Sequence, residues 1–249
     1  MSIAQGKVYL VGAGPGHPDL LTIKAARILR EADFVLHDDL VSQEILALLP
    51  RQATVLSVGK RCGMPKTTQA EINAKMIAYA RAGRAVVRLK CGDPMIFGRA
   101  SEEIEALRNA EVTVEVVPGI SAAIAAAAAA QVALTDRRSS SSVIFESGHP
   151  AQSGTSVTRV IYMPGPNWES LASRLISGGI APDTPCMAVS AASGESEILR
   201  HCSLSEIPQI AVLAPSILIV GEACAGATRD SQVSAPKARY SLAQPVRAG

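Results

Sequence analysis

The residues most able to do chemistry lie close together: Lys90, Cys91, Gly92, Asp93, Arg99, Glu102 and Glu103. Lys90-Cys91-Gly92-Asp93-Pro94 stops an apolar run, Ala85 to Leu89, with loop-forming residues. Gly92 allows a backbone to approach a ligand closely, Asp93 supplies a fixed acceptor, and Pro94 stiffens the turn, a combination suited to gripping a small polar molecule. After the apolar step Met95-Ile96-Phe97 come Gly98-Arg99 and then Glu102 and Glu103, placed where a helix first turn welcomes negative charge. The same residues also fit an ordinary strand, turn and helix start, because Gly-Asp-Pro turns are common.

Two further groups sit where strands give way to loops. His37-Asp38-Asp39 closes an apolar segment at a position where open parallel sheets place ligand-contacting groups, although two acids there also suit solvation or a helix start. Gly59-Lys60-Arg61-Cys62-Gly63 sets two cations between glycines, an anion contact or a pair of solvated side chains. Gly12-Ala13-Gly14-Pro15-Gly16 follows a first strand and invites a dinucleotide reading, but that fingerprint needs a glycine where His17 stands. A tight loop against some other ligand is the stronger reading.

Alternating elements must position these groups. Strands are expected at Lys7–Val11, Phe34–Leu36, Thr54–Val58, Ala85–Leu89 and Thr113–Val117. Helices are expected at about Pro18–Ala32 and Ser42–Leu49, from the capping box Thr68-Gln69-Ala70-Glu71 to Gly83, and from Ser121 to Gln131. The alanine run Ala122 to Ala130 reads as close packing, with only its Ser121-Ala122 start near a ligand. Further on, strands are expected at Ser142–Phe145, Arg159–Tyr162, Cys186–Val189 and Ser216–Val220, a helix at Trp168–Ser177, and an antiparallel strand at Glu197–Leu204. The pattern predicts an α/β protein with a mostly parallel N-terminal sheet and a mixed C-terminal sheet. The expected division is an N-terminal domain over 1–118, a C-terminal domain over 119–227, and a disordered tail over 228–249.

The totals narrow the function. The chain has 249 residues, 48% hydrophobic and only 3% aromatic, so its core is built from Ala, Val, Leu and Ile. The formal charge is +2, but the tail carries Arg229, Lys237, Arg239 and Arg247 against Asp230, which leaves the body near −1 without a nucleic-acid footprint. No apolar run reaches the roughly 18 residues that a membrane span requires, and no secretory leader is legible, so a cytoplasmic protein is expected. The five cysteines and four histidines show neither disulfide nor metal spacing, and no metal is expected.

Taken in series, the motifs resemble the tetrapyrrole methylase family, in its uroporphyrinogen-III C-methyltransferase branch. They are VYLVGAGPG at 8–16, DDLVS at 38–42, VGKRCG at 58–63, EIN at 71–73, VVRLKCGDPMIFGRASEE at 86–103, VVPGISAA at 116–123 and GH at 148–149. The resemblance implies two α/β domains holding S-adenosyl-L-methionine in the cleft between them, in a homodimer. It also implies methylation of uroporphyrinogen III on rings A and B, giving precorrin-2 by way of precorrin-1 for sirohaem, cobalamin or haem d. Cofactor contacts would fall on Pro15, Cys91, Gly92, Asp93, Ile96, Ser121, Ala122, Met163 and Ala192. Asp38 and Lys60 match active-site positions, and Arg99, Glu102 and Arg137 match positions for substrate binding or proton removal.

The residue types suit that chemistry. The substrate carries carboxylates around its rim, for which Lys60, Arg61, Arg99 and Arg137 are clamps, and a ring that gains a methyl must lose a proton to a base such as Asp38 or Glu102. Arg99 stays protonated near neutral pH and is a clamp before it is a base. The chain departs from the family where Cys91 replaces a glycine, Ala100-Ser101 replaces a Gly-Gly pair, Asp136 replaces histidine, Pro164 follows Met163 in place of glycine, and Ala192 ends a pair that usually closes on glycine. Two other readings therefore stand beside the enzyme: a homologue that binds cofactor or tetrapyrrole with little turnover, and a methylase of a different tetrapyrrole.

Overall fold

A computed structural model describes residues 4, 6–59, 67–138, 141–145, 157–192, 197–210 and 215–227. The expected tail and the motif residues Lys60, Arg61, Cys62, Gly148 and His149 lie outside the described residues. The chain divides into two compact units, Met1–Gly148 and His149–Gly249.

The first unit is built on five parallel strands, β1 (Val8–Gly12), β2 (Phe34–His37), β3 (Thr54–Ser57), β4 (Val86–Lys90) and β5 (Val114–Val117), in the order β3-β2-β4-β1-β5. Alternation decides which side chain faces which layer. Tyr9 and Val11 of β1 pack with Ala25, Ile28 and Leu29 of α1 (Ile23–Arg30) and Ile45 of α2 (Gln43–Leu46). Val8 and Leu10 turn the other way, onto Ile72 and Met76 of α3 (Gln69–Arg81) and Ala100 and Leu107 of α4 (Ala100–Asn109). Because both faces are covered, β1 and β4 are buried along their whole length. Each large apolar side chain so enclosed contributes about 1.5–3 kcal/mol.

This topology fixes where a ligand can sit. The connection from β1 runs through α1 on one face, and that from β4 through α4 on the other, so adjacent strands send their loops in opposite directions. The crevice that opens there, at the carboxyl ends of β1 and β4, is where open α/β sheets bind small molecules.

Several elements differ from expectation. The helix expected over Pro18–Ala32 is a short 3₁₀ turn, Pro18–Leu20, followed by α1. Leu21 and Thr22 are extended, and the Thr22 hydroxyl accepts the Ala25 N–H at 3.1 Å, so the chain restarts the helix at a better cap. The capping box at Thr68 and Glu71 forms, and α3 ends before Gly83, whose φ is +79°. The helix α5 (Ala122–Ala129) stops short of Gln131, which takes a left-handed φ of 55°, and none of its residues is buried, so the alanine run is not the packing seam it was read as. Ser142–Phe145 forms no strand; these residues are exposed and pair with neither sheet. The segment around α5 lies within the unit Met1–Gly148, where the Gly119 N–H ahead of it is bonded to the Asp93 carboxylate.

The second unit holds β6 (Arg159–Tyr162), α6 (Trp168–Ser177), β7 (Pro185–Ser190), β8 (Ile198–Ser203) and β9 (Ser216–Val220). Its sheet has the order β6-β9-β7-β8, and every neighbouring pair is antiparallel rather than mixed. β6 and β7 run the same way, but β9 inserts between them and pairs with both. Leu171, Cys186, Ala188, Leu204, Ile207 and Leu218 form its core.

Candidate functional site

Three loops meet at the carboxyl edge of the parallel sheet. Gly14, after β1, and Gly92, after β4, exchange backbone hydrogen bonds of 3.1 and 2.8 Å and form an isolated bridge. From the β5 side, the Gly119 N–H donates to Asp93 Oδ2 at 2.9 Å, while Asp93 Oδ1 accepts the Met95 N–H at 2.8 Å. Both carboxylate oxygens are thereby fixed, one to its own turn and one to the neighbouring loop. Only bare backbone fits between the loops: a β-carbon on Gly12 would stand 2.6 Å from Gly119 Cα, and one on Gly119 would meet the Gly92 carbonyl. The φ of Gly92 is +67°, and its Cα faces the Ala122 N–H and Ser121 Cα at the start of α5. Ser121 caps that helix without a side-chain hydrogen bond. The result is a cradle of bare glycine backbone against a helix amino end, a shape that receives a polar, carboxylate-bearing ligand.

Six of the sequence-predicted cofactor residues lie in this edge: Cys91, Gly92, Asp93 and Ile96 on one loop, and Ser121 and Ala122 opposite them. Pro15 belongs to the β1 loop, which is tied to the start of α2 by the Ser42 hydroxyl donating to the Gly16 carbonyl at 2.6 Å. Cys91 has no positive φ, so the backbone does not demand glycine there; its half-buried thiol reaches the Gly14 carbonyl at 3.9 Å. Burial, then the nearby Asp38 charge, pushes the Cys91 thiol above its ordinary value. Met163 and Ala192 belong to the second unit. Met163 follows β6 and Ala191-Ala192 follow β7, and since both strands flank the start of β9, both turns leave the same end of that sheet. Met163 is exposed, with φ 50°, and Ala191 has φ 46°.

Beside the cradle is a cluster of charge whose central member, Arg88, sequence reasoning passed over. Asp38, at the end of β2, receives Arg88 Nη2 at 2.5 Å. Arg88 lies on β4 with 3% exposure, and its Nε donates to Glu103 Oε1 at 3.0 Å. Lys90 Nζ donates to the same oxygen at 3.0 Å, and Gln69 Nε2 of α3 does so at 3.1 Å. Glu103 is wholly buried on α4, and its Oε2 has no hydrogen-bond partner among the described residues. Burial, then the Arg88 charge, lowers the Lys90 pKa against the opposing pull of Glu103. The missed signal is legible: Ala85–Leu89 reads as apolar only if Arg88 is overlooked, and an arginine inside a strand covered on both faces must have a buried partner.

Arg99 ends the loop after β4, and Glu102 lies in the first turn of α4. Arg99 opens α4 from a left-handed φ of 56°, and its Nε and Nη2 reach the two oxygens of Glu102 at 2.7 Å each. That fork holds the exposed Glu102 carboxyl below the usual carboxylate range and Arg99 above the usual guanidinium value. Arg137 is exposed in the segment after α5, and among the described residues no hydrogen bond or ion pair joins it to the Asp38 cluster. No three His, Cys, Asp or Glu side chains among the described residues could hold a metal ion. No helix among them is long and apolar enough to cross a membrane.

Comparison with known proteins matches residues 7–208 to the family described as Tetrapyrrole (Corrin/Porphyrin) Methylases. A siroheme synthase of Photorhabdus laumondii is 41% identical over 230 residues, which cover 88% of this chain and 49% of that protein. The chloroplastic S-adenosyl-L-methionine-dependent uroporphyrinogen III methyltransferase of Arabidopsis thaliana is 39% identical over 233 residues, 87% of this chain and 63% of that protein. The chain thus spans about half the length of the siroheme synthases it matches. Among solved structures, a cobalt precorrin-4 methyltransferase of cobalamin biosynthesis superposes with a TM-score of 0.53 at 29% identity, over 87% of this chain and 95% of that one.

Proposed function

Since this chain belongs to the tetrapyrrole methylase family, we propose that it transfers methyl groups from S-adenosyl-L-methionine to uroporphyrinogen III. Rings A and B are methylated in turn, giving precorrin-2 by way of precorrin-1 for sirohaem, cobalamin or haem d. The observation that carries the reading is the meeting of the β1, β4 and β5 loops in a glycine cradle directly beside the Asp38–Arg88 ion pair.

The residues present fit the cofactor. Gly12 and Gly119 close the loops backbone to backbone, Gly92 keeps its bare face toward the start of α5, and the amino end of that helix offers N–H groups to a carboxylate. When bound, S-adenosyl-L-methionine supplies a methyl already activated by the sulfonium. The protein then contributes placement: Gly92, Asp93, Ser121 and Ala122 hold one reactant, while cationic side chains orient the acidic rim of the other. Arg99 serves as a clamp, and Lys60 and Arg137 share that task. Asp38 is the base that accepts the proton leaving the methylated ring, because it is a carboxylate at a strand end, part exposed and held by an arginine. Pro15, Cys91 and Ile96 complete the cofactor contacts of the first unit. The working form is a homodimer, as the resemblance implies, and the cytoplasm is its expected location.

Anaerobic incubation of the purified chain with uroporphyrinogen III and methyl-labelled S-adenosyl-L-methionine tests the reading. Two labels per macrocycle are expected. Cofactor binding by calorimetry without label transfer would favour a binder or a methylase of another tetrapyrrole instead.

A further inference from the structure

Glu103 is an unusual carboxylate. It is wholly buried, accepts three donors on Oε1, and leaves Oε2 without a partner among the described residues. Burying ions is costly, and a pair that served stability alone could give way to apolar side chains of similar volume. A buried acceptor left unpaired adds to that cost. What the arrangement secures is direction. The Arg88 guanidinium is planar, and it is anchored at Nε by Glu103 and at Nη1 by the Leu89 carbonyl, 3.2 Å away. With two corners fixed, Nη2 can point only one way, and it meets Asp38 Oδ1. Lys90 and Gln69 in turn hold Glu103 Oε1 in place from β4 and α3.

We infer that Glu103 is a positioning residue for methyl transfer, aiming the Asp38 carboxylate through Arg88 without touching substrate. The claim rests on the reading of Asp38 as the proton acceptor. Asp38 stands at the end of β2, about a third exposed, while Glu103 is on α4 beneath the sheet edge, so the effect must pass along the guanidinium. Loss of the Glu103 charge frees Arg88 to reorient, and Asp38 loses its fixed geometry while the cofactor cradle of Gly92, Asp93 and Gly119 stays intact.

The test is a double-mutant cycle on labelled methyl transfer to uroporphyrinogen III, using wild type, Asp38→Asn, Glu103→Gln and the pair together. Asp38→Asn is expected to lower kcat on the order of 10²–10⁴-fold, the usual contribution of a general base. Glu103→Gln is expected to lower kcat about 10- to 100-fold, as misplacement of a reacting group does. Its KM for S-adenosyl-L-methionine should stay within about threefold, since its cradle is untouched. The double variant should be no slower than Asp38→Asn, because Glu103 acts only through Asp38. Losses that multiply, or a raised KM with unchanged kcat, would overturn the inference while the functional reading stands. If Glu103→Gln does not fold, as judged by near-ultraviolet circular dichroism, Arg88→Lys replaces it in the same cycle with the same expectation. A wild-type chain that transfers no label overturns the functional reading, and this inference with it.

Discussion

A β-carbon on Gly12 would stand 2.6 Å from the Cα of Gly119, so the backbones after β1 and β5 touch with no side chain between them. Gly119→Ala must therefore push the β5 loop off the sheet edge and stretch the Asp93–Gly119 hydrogen bond. The expected cost is about 1–3 kcal/mol of stability, typical of overpacking. Urea unfolding will measure it, and calorimetry with S-adenosyl-L-homocysteine should show an accompanying fall in affinity. Unchanged affinity in a folded Gly119→Ala protein would remove this contact from the cofactor cradle.

Cys91 and Gly92 should answer oppositely to substitution. Cys91 has no positive φ, so Cys91→Gly should leave cofactor affinity within about threefold, equivalent to roughly 0.6 kcal/mol. Gly92 sits at φ +67°, where an alanine costs about 1–2 kcal/mol in backbone strain alone. Titration of both variants with S-adenosyl-L-homocysteine checks the contrast. A tighter-binding Cys91→Gly variant would show that the cysteine does burden the site.

Arg99→Lys should cost more in turnover than in cofactor binding. Lysine keeps the charge but loses the two-pronged grip now made on Glu102, and the same fork would be needed for a substrate carboxylate. Stability should barely change, because exposed pairs contribute only about 0–1 kcal/mol. Steady-state kinetics with uroporphyrinogen III separates the two effects, and undiminished kcat would sink the clamp assignment.

Much of this organisation could be read from the sequence. β1 to β5, α3 with its capping box, α6 and β8 follow from periodicity and caps, because their apolar faces agree with their local propensities. The site was legible only in part. Gly92 and Asp93 announce themselves by type, whereas the Asp38–Arg88–Glu103 chain joins residues far apart in sequence, and only the strand order β2-β4 brings them together. The alanine helix misled because methyl groups suit close packing in general, yet here no part of α5 is buried. Ser142–Phe145 carries a strand-like composition but joins neither sheet.

The second unit should lose stability at alkaline pH. Burial, then the neighbouring Cys202 and Cys224, pushes the Cys186 thiol up to about 12 from an ordinary 9.0. Above pH 9 the unfolded chain releases a proton that the folded chain retains. This contribution is whole below the unfolded value and drains away as pH rises towards about 12. Cys186→Ala should flatten the alkaline limb of a urea-unfolding series run between about pH 8 and about pH 11. An unaltered limb would assign the effect to other groups.

The glycine contact at the sheet edge also bears on how the protein is made. Gly12, Gly92 and Gly119 come from three separate parts of the first unit and meet only at its completed edge. During synthesis the first strand leaves the ribosome long before the loop after β5, and β1 lies between β4 and β5 in the finished sheet. A nascent chain that ends before Gly119 has neither the donor for Asp93 Oδ2 nor the helix start that faces Gly92. The glycine cradle is therefore completed late, after non-local strand pairing, the slow step of such topologies, has taken place. A ligand that occupies it can act on the finished unit but cannot help nucleate it.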